Sequence, residues 1–303
     1  MAVVTGIFDS LRAAPGPPPT GSESARPWPV SPRVVELPPP TTSVPVNGHK
    51  WLANVPVAKD AGTAPDQEGL QFTEDVAQKL VIDERSPPAA VEQYRRLAAA
   101  LHHSQRQFGT KVVMVASAIN AEGKSLSVCN IALTLSHSYR KRVLLIDADL
   151  RHPGLHETFQ LPMTTGLSEA LRASADRALP LFDVTGGLVV LPAGRPDPDP
   201  LGGLASDRMA NIINEASTEF DWVLIDTPPV GLVPDAKLLA AVADAVVLVI
   251  RAGRSPCVLV QQTIEALGAE KVIGVLLNAT EGASTRRQNS YYRYGYGYGP
   301  RRP

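Results

Sequence analysis

Residues 117–125 carry the clearest chemical signal in the chain, with the sequence Ser-Ala-Ile-Asn-Ala-Glu-Gly-Lys-Ser. An apolar run precedes them and apolar residues at helical spacing follow, which predicts a turn between a strand and a helix. In a phosphate-binding loop of this kind, N–H groups at the helix N-terminus bind phosphate, the lysine reaches the β- and γ-phosphates, and the hydroxyl meets Mg²⁺. Ala118 occupies the first glycine of the G-x-x-x-x-G-K-[ST] pattern. The residues assigned to nucleotide binding are Asn120, Ala121, Glu122, Gly123, Lys124, Ser125 and Leu126.

Aspartates end two other apolar runs. Asp147 and Asp149 follow the run 143–146, and Asp226 follows the run 223–225. If both runs are parallel strands, their carboxyl ends lie at the edge of the sheet where ligands bind. A single aspartate at such a place commonly caps the next loop or helix. Three of them, together with the lysine of the loop, favour a catalytic site instead.

The acids and the loop together supply the oxygen ligands that Mg²⁺ prefers, with nucleotide phosphates and water completing the set. Ser125, Asp149 and Asp226 are therefore assigned to the metal, directly or through water. Asp147 either joins them or accepts a proton from an attacking hydroxyl. Arg151 either orients acids or phosphate, or pairs with Asp149.

Alternating strands and helices must position these residues. From residue 86, apolar residues at helical spacing follow Ser86-Pro87, which is typical of a helix start. The apolar runs lack polar alternation, as strands buried on both faces do; they are 112–116, 143–146, 188–191, 223–225, 245–250 and 272–277. This order predicts an α/β fold, a mostly parallel sheet with helices on both faces.

From about residue 86 to residue 280 the chain resembles the bacterial tyrosine kinases, which are P-loop proteins related to ParA/MinD-type ATPases. Residues 122–125 are similar to the Walker A motif of that family. Asp147-x-Asp149-x-Arg151 is similar to its second Walker motif, and residues 224–229 to its Walker B motif. Further similarity lies at 166–171, 191–194, 235–236 and 272–278.

The resemblance implies a P-loop NTPase-type fold and a protein-tyrosine autokinase that uses ATP and Mg²⁺. Lys124, Asp147, Asp149 and Asp226 are then its catalytic residues. Such kinases regulate the polymerisation and export of capsular or extracellular polysaccharide, are activated by a membrane polysaccharide co-polymerase, and self-associate for phosphorylation between subunits. This chain is expected to be the free-standing, cytoplasmic type, without a transmembrane segment, recruited to the inner face of the membrane by that partner.

Several positions depart from the family pattern. Asn120 and Ala121 stand where the family often has proline and glycine. Asparagine tolerates unusual backbone angles, whereas alanine does not replace a glycine at positive φ, so the loop is expected to shift slightly or to bind nucleotide more weakly. Ala98 replaces the last arginine of an assembly helix whose Glu92 and Arg95 match the family. Ring assembly through that helix is therefore in question.

Five of the seven tyrosines lie close together near the C-terminus, at Tyr291, Tyr292, Tyr294, Tyr296 and Tyr298. The surrounding glycines and arginines argue against a packed element, so these hydroxyls are expected to be accessible. Composition alone leaves three uses open: a sticky low-complexity tail, an RNA-binding tail and a phosphoacceptor. Each phosphate adds roughly −1.5 to −2 charges, so a few would reverse the sign of this basic tail. The resemblance favours the phosphoacceptor.

The predicted domains are a proline-rich, mostly disordered arm at 1–85, a kinase domain at 86–283 and a flexible tyrosine-rich tail at 284–303. The arm is either a passive linker or a docking segment for a partner. The net charge of −1 gives no indication of nucleic-acid binding, and no nucleic-acid partner is expected. Two other functions stay open: a ParA/MinD-like ATPase that switches partners, and a non-catalytic scaffold with a degenerate phosphate loop.

Overall fold

The chain folds around one mixed sheet. The computed structural model describes residues 3–5 (backbone only), 80, 86–173, 178–231 and 233–279. Within these residues the strand order is β1-β8-β7-β2-β6-β3-β5-β4. The strands are β1 Val3–Thr5, β2 Val112–Ser117, β3 Val143–Asp147, β4 Phe182–Asp183, β5 Leu188–Leu191, β6 Trp222–Asp226, β7 Ala245–Arg251 and β8 Val272–Asn278.

The inner strands confirm the sequence prediction, since every predicted apolar run forms a strand. β8, β7, β2, β6, β3 and β5 are parallel, whereas β1 and β4 pair antiparallel at the two edges. All residues of β2, β3, β5 and β6 are buried, as expected for strands covered on both faces. The sequence does not predict the edge strands, because segments of 3 and 2 residues show no periodicity.

Helices lie between the strands in the alternation that the sequence predicts. A π-helical turn, Thr134–Ser138, continues the second helix. The helices are α1 Pro88–Phe108, α2 Lys124–Leu133, α3 Leu155–Thr158, α4 Leu167–Arg172, α5 Leu201–Leu204, α6 Asp207–Glu219, α7 Asp235–Val242 and α8 Cys257–Leu267.

Two apolar clusters lie on the opposite faces of the sheet. Met114 and Leu144 belong to one cluster, and their sequence neighbours Val113 and Leu145 belong to the other. Successive side chains of a strand point to opposite faces, so each central strand contributes to both clusters. The predicted α/β fold, a mostly parallel sheet covered on both faces, is therefore confirmed.

Helix α1 begins where the sequence predicts. Pro87 is its N-cap residue and Pro88 its first helical residue, a position where the missing N–H costs no hydrogen bond. Gly109 ends the helix with φ of 73° and donates its N–H to the Gln105 carbonyl oxygen. The buried face of α1 consists of Ala90, Gln93, Tyr94, Leu97, Ala98 and Leu101.

Two of the predicted domains lie largely outside the described residues. They are the arm at 1–85, apart from residues 3–5 and 80, and the whole tail at 284–303 with its five tyrosines. Among the helices that the structure describes, none combines the length and hydropathy needed to cross a bilayer.

Candidate active site

The phosphate loop lies between β2 and α2, as predicted. Gly123 precedes α2 with φ of 88°, and a Cβ there would lie 2.0 Å from Nδ2 of Asn278. Both its backbone angle and the close approach of Asn278 require glycine at this position. The helix then begins at Lys124, where the first N–H groups of a helix have no intrahelical acceptor. These donors are available to an anion.

Ala121 adopts the left-handed backbone that the family glycine would adopt without strain. Its φ is 61°, and a left-handed conformation costs an L-residue roughly 1–2 kcal/mol. The loop therefore keeps a left-handed backbone conformation at Ala121, and this residue is strained. Among the described residues Ala118 is not one of the positive-φ positions, and its side chain is buried, so alanine fits there in place of the first glycine.

Lys124 and Asp226 form a buried ion pair at the mouth of the loop. Nζ of Lys124 lies 2.6 Å from Oδ1 of Asp226, and the two side chains are 8% and 1% exposed. The same nitrogen donates to Oγ of Ser125 at 3.3 Å. An ammonium group has three donors, so one N–H of Lys124 is left for a phosphate oxygen.

Asp147 lies one strand away, directly opposite Asp226 in the β3–β6 ladder. It is fully buried, and both of its oxygens accept backbone N–H groups, from Asp149 at 3.2 Å, Gly154 at 3.1 Å and Leu155 at 3.0 Å. Burial, and then the charge of Asp226, raise the pKa of Asp147 to about 7. The loop that follows β3 therefore encloses this carboxylate.

Asp149 is more accessible than Asp147 and belongs to the same site. One of its oxygens accepts the N–H of His152 at 3.1 Å, and the side chain is 8% exposed. Burial raises the pKa of Asp149, whereas the nearby ammonium of Lys124 lowers it. The structure thus brings together the lysine and the three predicted aspartates.

Arg151 does not pair with Asp149, one of the two roles that the sequence leaves open. Its Nε and Nη2 donate to the two carboxylate oxygens of Asp235 at 2.7 and 3.1 Å, and its Nη1 donates to the Pro198 carbonyl at 2.5 Å. Asp235, at the start of α7, is completely buried. Arg151 therefore links the loop that follows β3 to the start of α7.

Three residues that the sequence did not indicate as site residues contact the phosphate loop. Arg251 and Asn278 end β7 and β8, and Ser255 lies in the turn that follows β7. Each is a hydrogen-bond partner of Ala121 or Glu122. The one available signal was their position, since all three lie at or beyond the carboxyl ends of parallel strands, where ligand sites form.

The site has the donors and acceptors that a magnesium nucleotide requires. Lys124 and the start of α2 offer N–H groups to phosphate, and Ser125, Asp149 and Asp226 offer oxygens to a hard cation. In the part of the chain that the structure describes, no cluster of three or more His, Cys, Asp or Glu side chains can hold a metal by itself. Mg²⁺ would therefore depend on phosphate and water ligands, as it commonly does.

Comparison with known proteins identifies the family. A family model described as "Cellulose biosynthesis protein BcsQ" matches residues 97–294. Tyrosine-protein kinase YwqD of Bacillus subtilis is 35% identical over 209 residues, covering 68% of this chain and 85% of YwqD. The chain belongs to the BcsQ-type family and to the bacterial tyrosine kinases.

Two further proteins are similar to this chain. The kinase domain of Escherichia coli tyrosine kinase ETK superposes with a TM-score of 0.60 at 29% identity, covering 70% of this chain and 80% of that domain. Succinoglycan biosynthesis transport protein ExoP of Rhizobium meliloti is 35% identical over 232 residues, covering 72% of this chain but 29% of ExoP. The predicted family and enzyme class, a protein-tyrosine kinase of the bacterial type, are confirmed, and kinase neighbours imply that the chain binds a nucleotide.

Proposed function

We propose that this kinase transfers the γ-phosphoryl group of ATP, with Mg²⁺, to the tyrosines of its own C-terminal tail. Its biological role would be to regulate the synthesis and export of capsular or extracellular polysaccharide, as the name of the relative ExoP suggests. A membrane polysaccharide co-polymerase is the proposed activator, and the inner face of the membrane the proposed place of action. The observation that carries the proposal is the contact of Lys124 with Asp226 and Ser125, beside Asp149.

Phosphoryl transfer requires mainly positioning and charge neutralisation from the protein. The proposal assigns phosphate binding to Lys124 and the amides of residues 120–126, and the metal to Ser125, Asp149 and Asp226. Bound Mg²⁺ would supply further neutralisation of phosphate charge. As the tyrosine oxygen bonds to the γ-phosphorus, ADP leaves and the tyrosine proton passes to a base.

Asp147 is the proposed proton acceptor. A pKa of about 7 suits a general base near neutral pH. The burial of its carboxylate means that proton transfer must be coupled to movement of the loop that follows β3.

Substitution of the loop lysine tests the proposal. Lys124→Met removes the ammonium group, and we expect phosphotyrosine formation with ATP and Mg²⁺ to fall at least about 100-fold. Intact-mass spectrometry of the full chain counts the phosphates, and peptide mapping locates them among the tail tyrosines. Lys237→Met is the matched control, because Lys237 lies exposed on α7.

Three outcomes would contradict the proposal in different ways. Labelling of Lys124→Met at the wild-type level would refute the site assignment. Release of free phosphate from ATP without phosphotyrosine would favour a ParA/MinD-like switch ATPase. Failure of the wild-type chain to bind ATP or ADP, with or without a co-polymerase partner, would favour a scaffold.

A further inference from the structure

Glu122, in the middle of the phosphate loop, is an unusual residue to bury. Glu122 is only 1% exposed, and glutamate is rarely buried this completely without partners. One carboxylate oxygen accepts the N–H of Ile119 at 3.0 Å, within the loop itself. The other accepts the hydroxyl of Ser255, which comes from the turn after β7. The carboxylate therefore joins the loop to a second element.

Ser255 is itself held in place for this contact. Its hydroxyl oxygen accepts the N–H of Arg251 at 2.9 Å, and its own N–H donates to the Arg251 carbonyl at 3.1 Å. A hydroxyl has one hydrogen to donate, and a carboxylate is a stronger acceptor than a carbonyl. The hydrogen of Ser255 is thus directed at Glu122.

Two more donors bind backbone carbonyls of the loop. Nη1 of Arg251 donates to the carbonyl of Ala121 at 3.0 Å, and Nδ2 of Asn278 donates to the carbonyl of Glu122 at 2.9 Å. Asn278 is oriented by its neighbours, because its Oδ1 accepts the N–H of Ala279 at 2.8 Å and its carbonyl accepts the N–H of Ala252 at 2.9 Å.

These carbonyl contacts determine where the loop N–H groups point. In a planar trans peptide the C=O and the following N–H point in opposite directions. A donor on the Ala121 carbonyl therefore turns the N–H of Glu122 away from Arg251, and a donor on the Glu122 carbonyl turns the N–H of Gly123 away from Asn278. Both N–H groups belong to the segment that would bind phosphate.

We propose that Arg251, Ser255 and Asn278 are positioning residues that hold the phosphate loop from behind and aim its N–H groups at the nucleotide phosphates. We call these three residues the loop clamp. The inference rests on the proposed function, since it requires the loop to bind phosphate. The clamp also opposes relaxation of Ala121, whose left-handed backbone would otherwise be relieved by rotation of the adjoining peptides.

The test removes one clamp contact at a time from the full chain. Ser255→Ala deletes the hydroxyl, and Ser255→Thr restores it. Asn278→Asp replaces the amide donor by a carboxylate oxygen that faces the Glu122 carbonyl. Ser217→Ala is the matched control, because the hydroxyl of Ser217 donates at 2.7 Å only to the carbonyl of Asn214 within α6.

Three measurements are made at a temperature where all variants are folded. Titration with Mg-ADP should show affinity about tenfold weaker for Ser255→Ala and for Asn278→Asp, since each loses a hydrogen bond that orients the site. KM for ATP should rise by a similar factor while kcat changes less. In EDTA and without nucleotide, the peptide covering residues 119–124 should exchange hydrogen for deuterium faster in Ser255→Ala and Asn278→Asp than in the wild type. Ser255→Thr should restore all three properties, and Ser217→Ala should leave all three unchanged.

The outcomes separate this inference from the proposed function. Wild-type Mg-ADP affinity and wild-type exchange in Ser255→Ala and Asn278→Asp would overturn the clamp while the proposed function stands. If the wild-type chain does not bind Mg-ADP at all, the proposed function is overturned and the clamp with it. A fall in thermal stability with unchanged affinity and unchanged KM would show a merely structural role and would also overturn the inference.

Discussion

At the scale of single residues, Asp147 connects the chemistry of the site to the stability of the fold. Burial and the charge of Asp226 raise its pKa from the ordinary value of 3.8 to about 7. Between these two pH values the folded chain holds a proton that the unfolded chain has released. Folding is therefore favoured at the acid end of this range, and the ionised carboxylate destabilises the fold as pH rises through it.

Asp147→Asn removes this titration. We expect the free energy of unfolding of the variant, relative to the wild type, to increase on going from pH 5 to pH 8 by on the order of 2–3 kcal/mol. Urea unfolding at both pH values in EDTA measures it, since a bound cation would favour the ionised carboxylate. Asp183→Asn, at an exposed position in β4, controls for titration elsewhere. A difference between variant and wild type that does not change with pH would contradict the raised pKa.

A site residue could be predicted from the sequence wherever a short stretch of neighbouring residues indicates its role. Lys124 and Ser125 follow from one short pattern, and the aspartates follow from the ends of apolar runs. The partner of Arg151 is 84 residues away in sequence, and Ser255 is 133 residues from Glu122. Nothing in the local pattern of either residue indicates such a contact, because it depends on the strand order. The clamp therefore became visible only in the folded chain.

At the scale of elements, α1 shows why one departure from the family pattern matters. Ala98 stands where the family has an arginine, yet it is completely buried among the apolar residues on one face of the sheet. Glu92, by contrast, pairs with Arg96 of the same helix at 3.3 Å, and Arg95 is exposed. The position of Ala98 thus serves packing in this chain, and it is not available at the helix surface for contacts with another copy.

Ala98→Arg tests this interpretation. An arginine at this position must either bury an unpaired charge or displace α1, so we expect the free energy of unfolding to fall by about 3 kcal/mol. The neighbouring Ala99→Arg is the control, because Ala99 is exposed on the same helix, and it should change stability by no more than about 0.5 kcal/mol. Urea unfolding compares the two variants. If Ala98→Arg were as stable as Ala99→Arg and formed a larger assembly than Ala99→Arg in size-exclusion chromatography, the arginine would instead restore an assembly surface.

The elements of the sheet were predictable to different degrees for a physical reason. Parallel strands covered on both faces appear in sequence as continuous apolar runs, which is why β2, β3 and β7 are evident before folding is considered. β4 has 2 residues, one of them an exposed aspartate, and pairs only along the edge strand β5. The π-helical turn after α2 has no distinct sequence pattern either, and the structure alone reveals it.

At the scale of the whole molecule, the last strand that the structure describes ends next to the phosphate loop. β8 ends at Asn278, which contacts Glu122 and lies behind the loop, on the side away from the N–H groups of Glu122 and Gly123. Tyr291, the first tail tyrosine, lies 13 residues beyond Asn278 in sequence, and an extended segment of that length spans roughly 45 Å, so this position of Asn278 is compatible with transfer within one molecule and between molecules.

Mixing two complementary variants tests whether phosphate passes between neighbouring molecules, as the family resemblance implies. Lys124→Met keeps the tail tyrosines but lacks the lysine of the site, and a chain with all five tail tyrosines changed to phenylalanine keeps the site but lacks acceptors. We expect phosphate on Lys124→Met in the mixture with ATP and Mg²⁺, at a rate that rises with the concentration of the second chain. Each variant alone is the control. Mass spectrometry that finds no phosphate in the mixture would indicate transfer within one molecule.

The two edge strands limit how copies of this molecule can meet. β1 and β4 are 3 and 2 residues long and antiparallel to their neighbours, so within the described residues neither edge offers a long ladder of free peptide groups. Short edges of this kind discourage the joining of sheets into one continuous structure. Contacts between copies must then depend on the side chains of helices and loops. An assembly built that way can be weakened by a single surface substitution and by salt, and it can form and separate without any unfolding of the sheet.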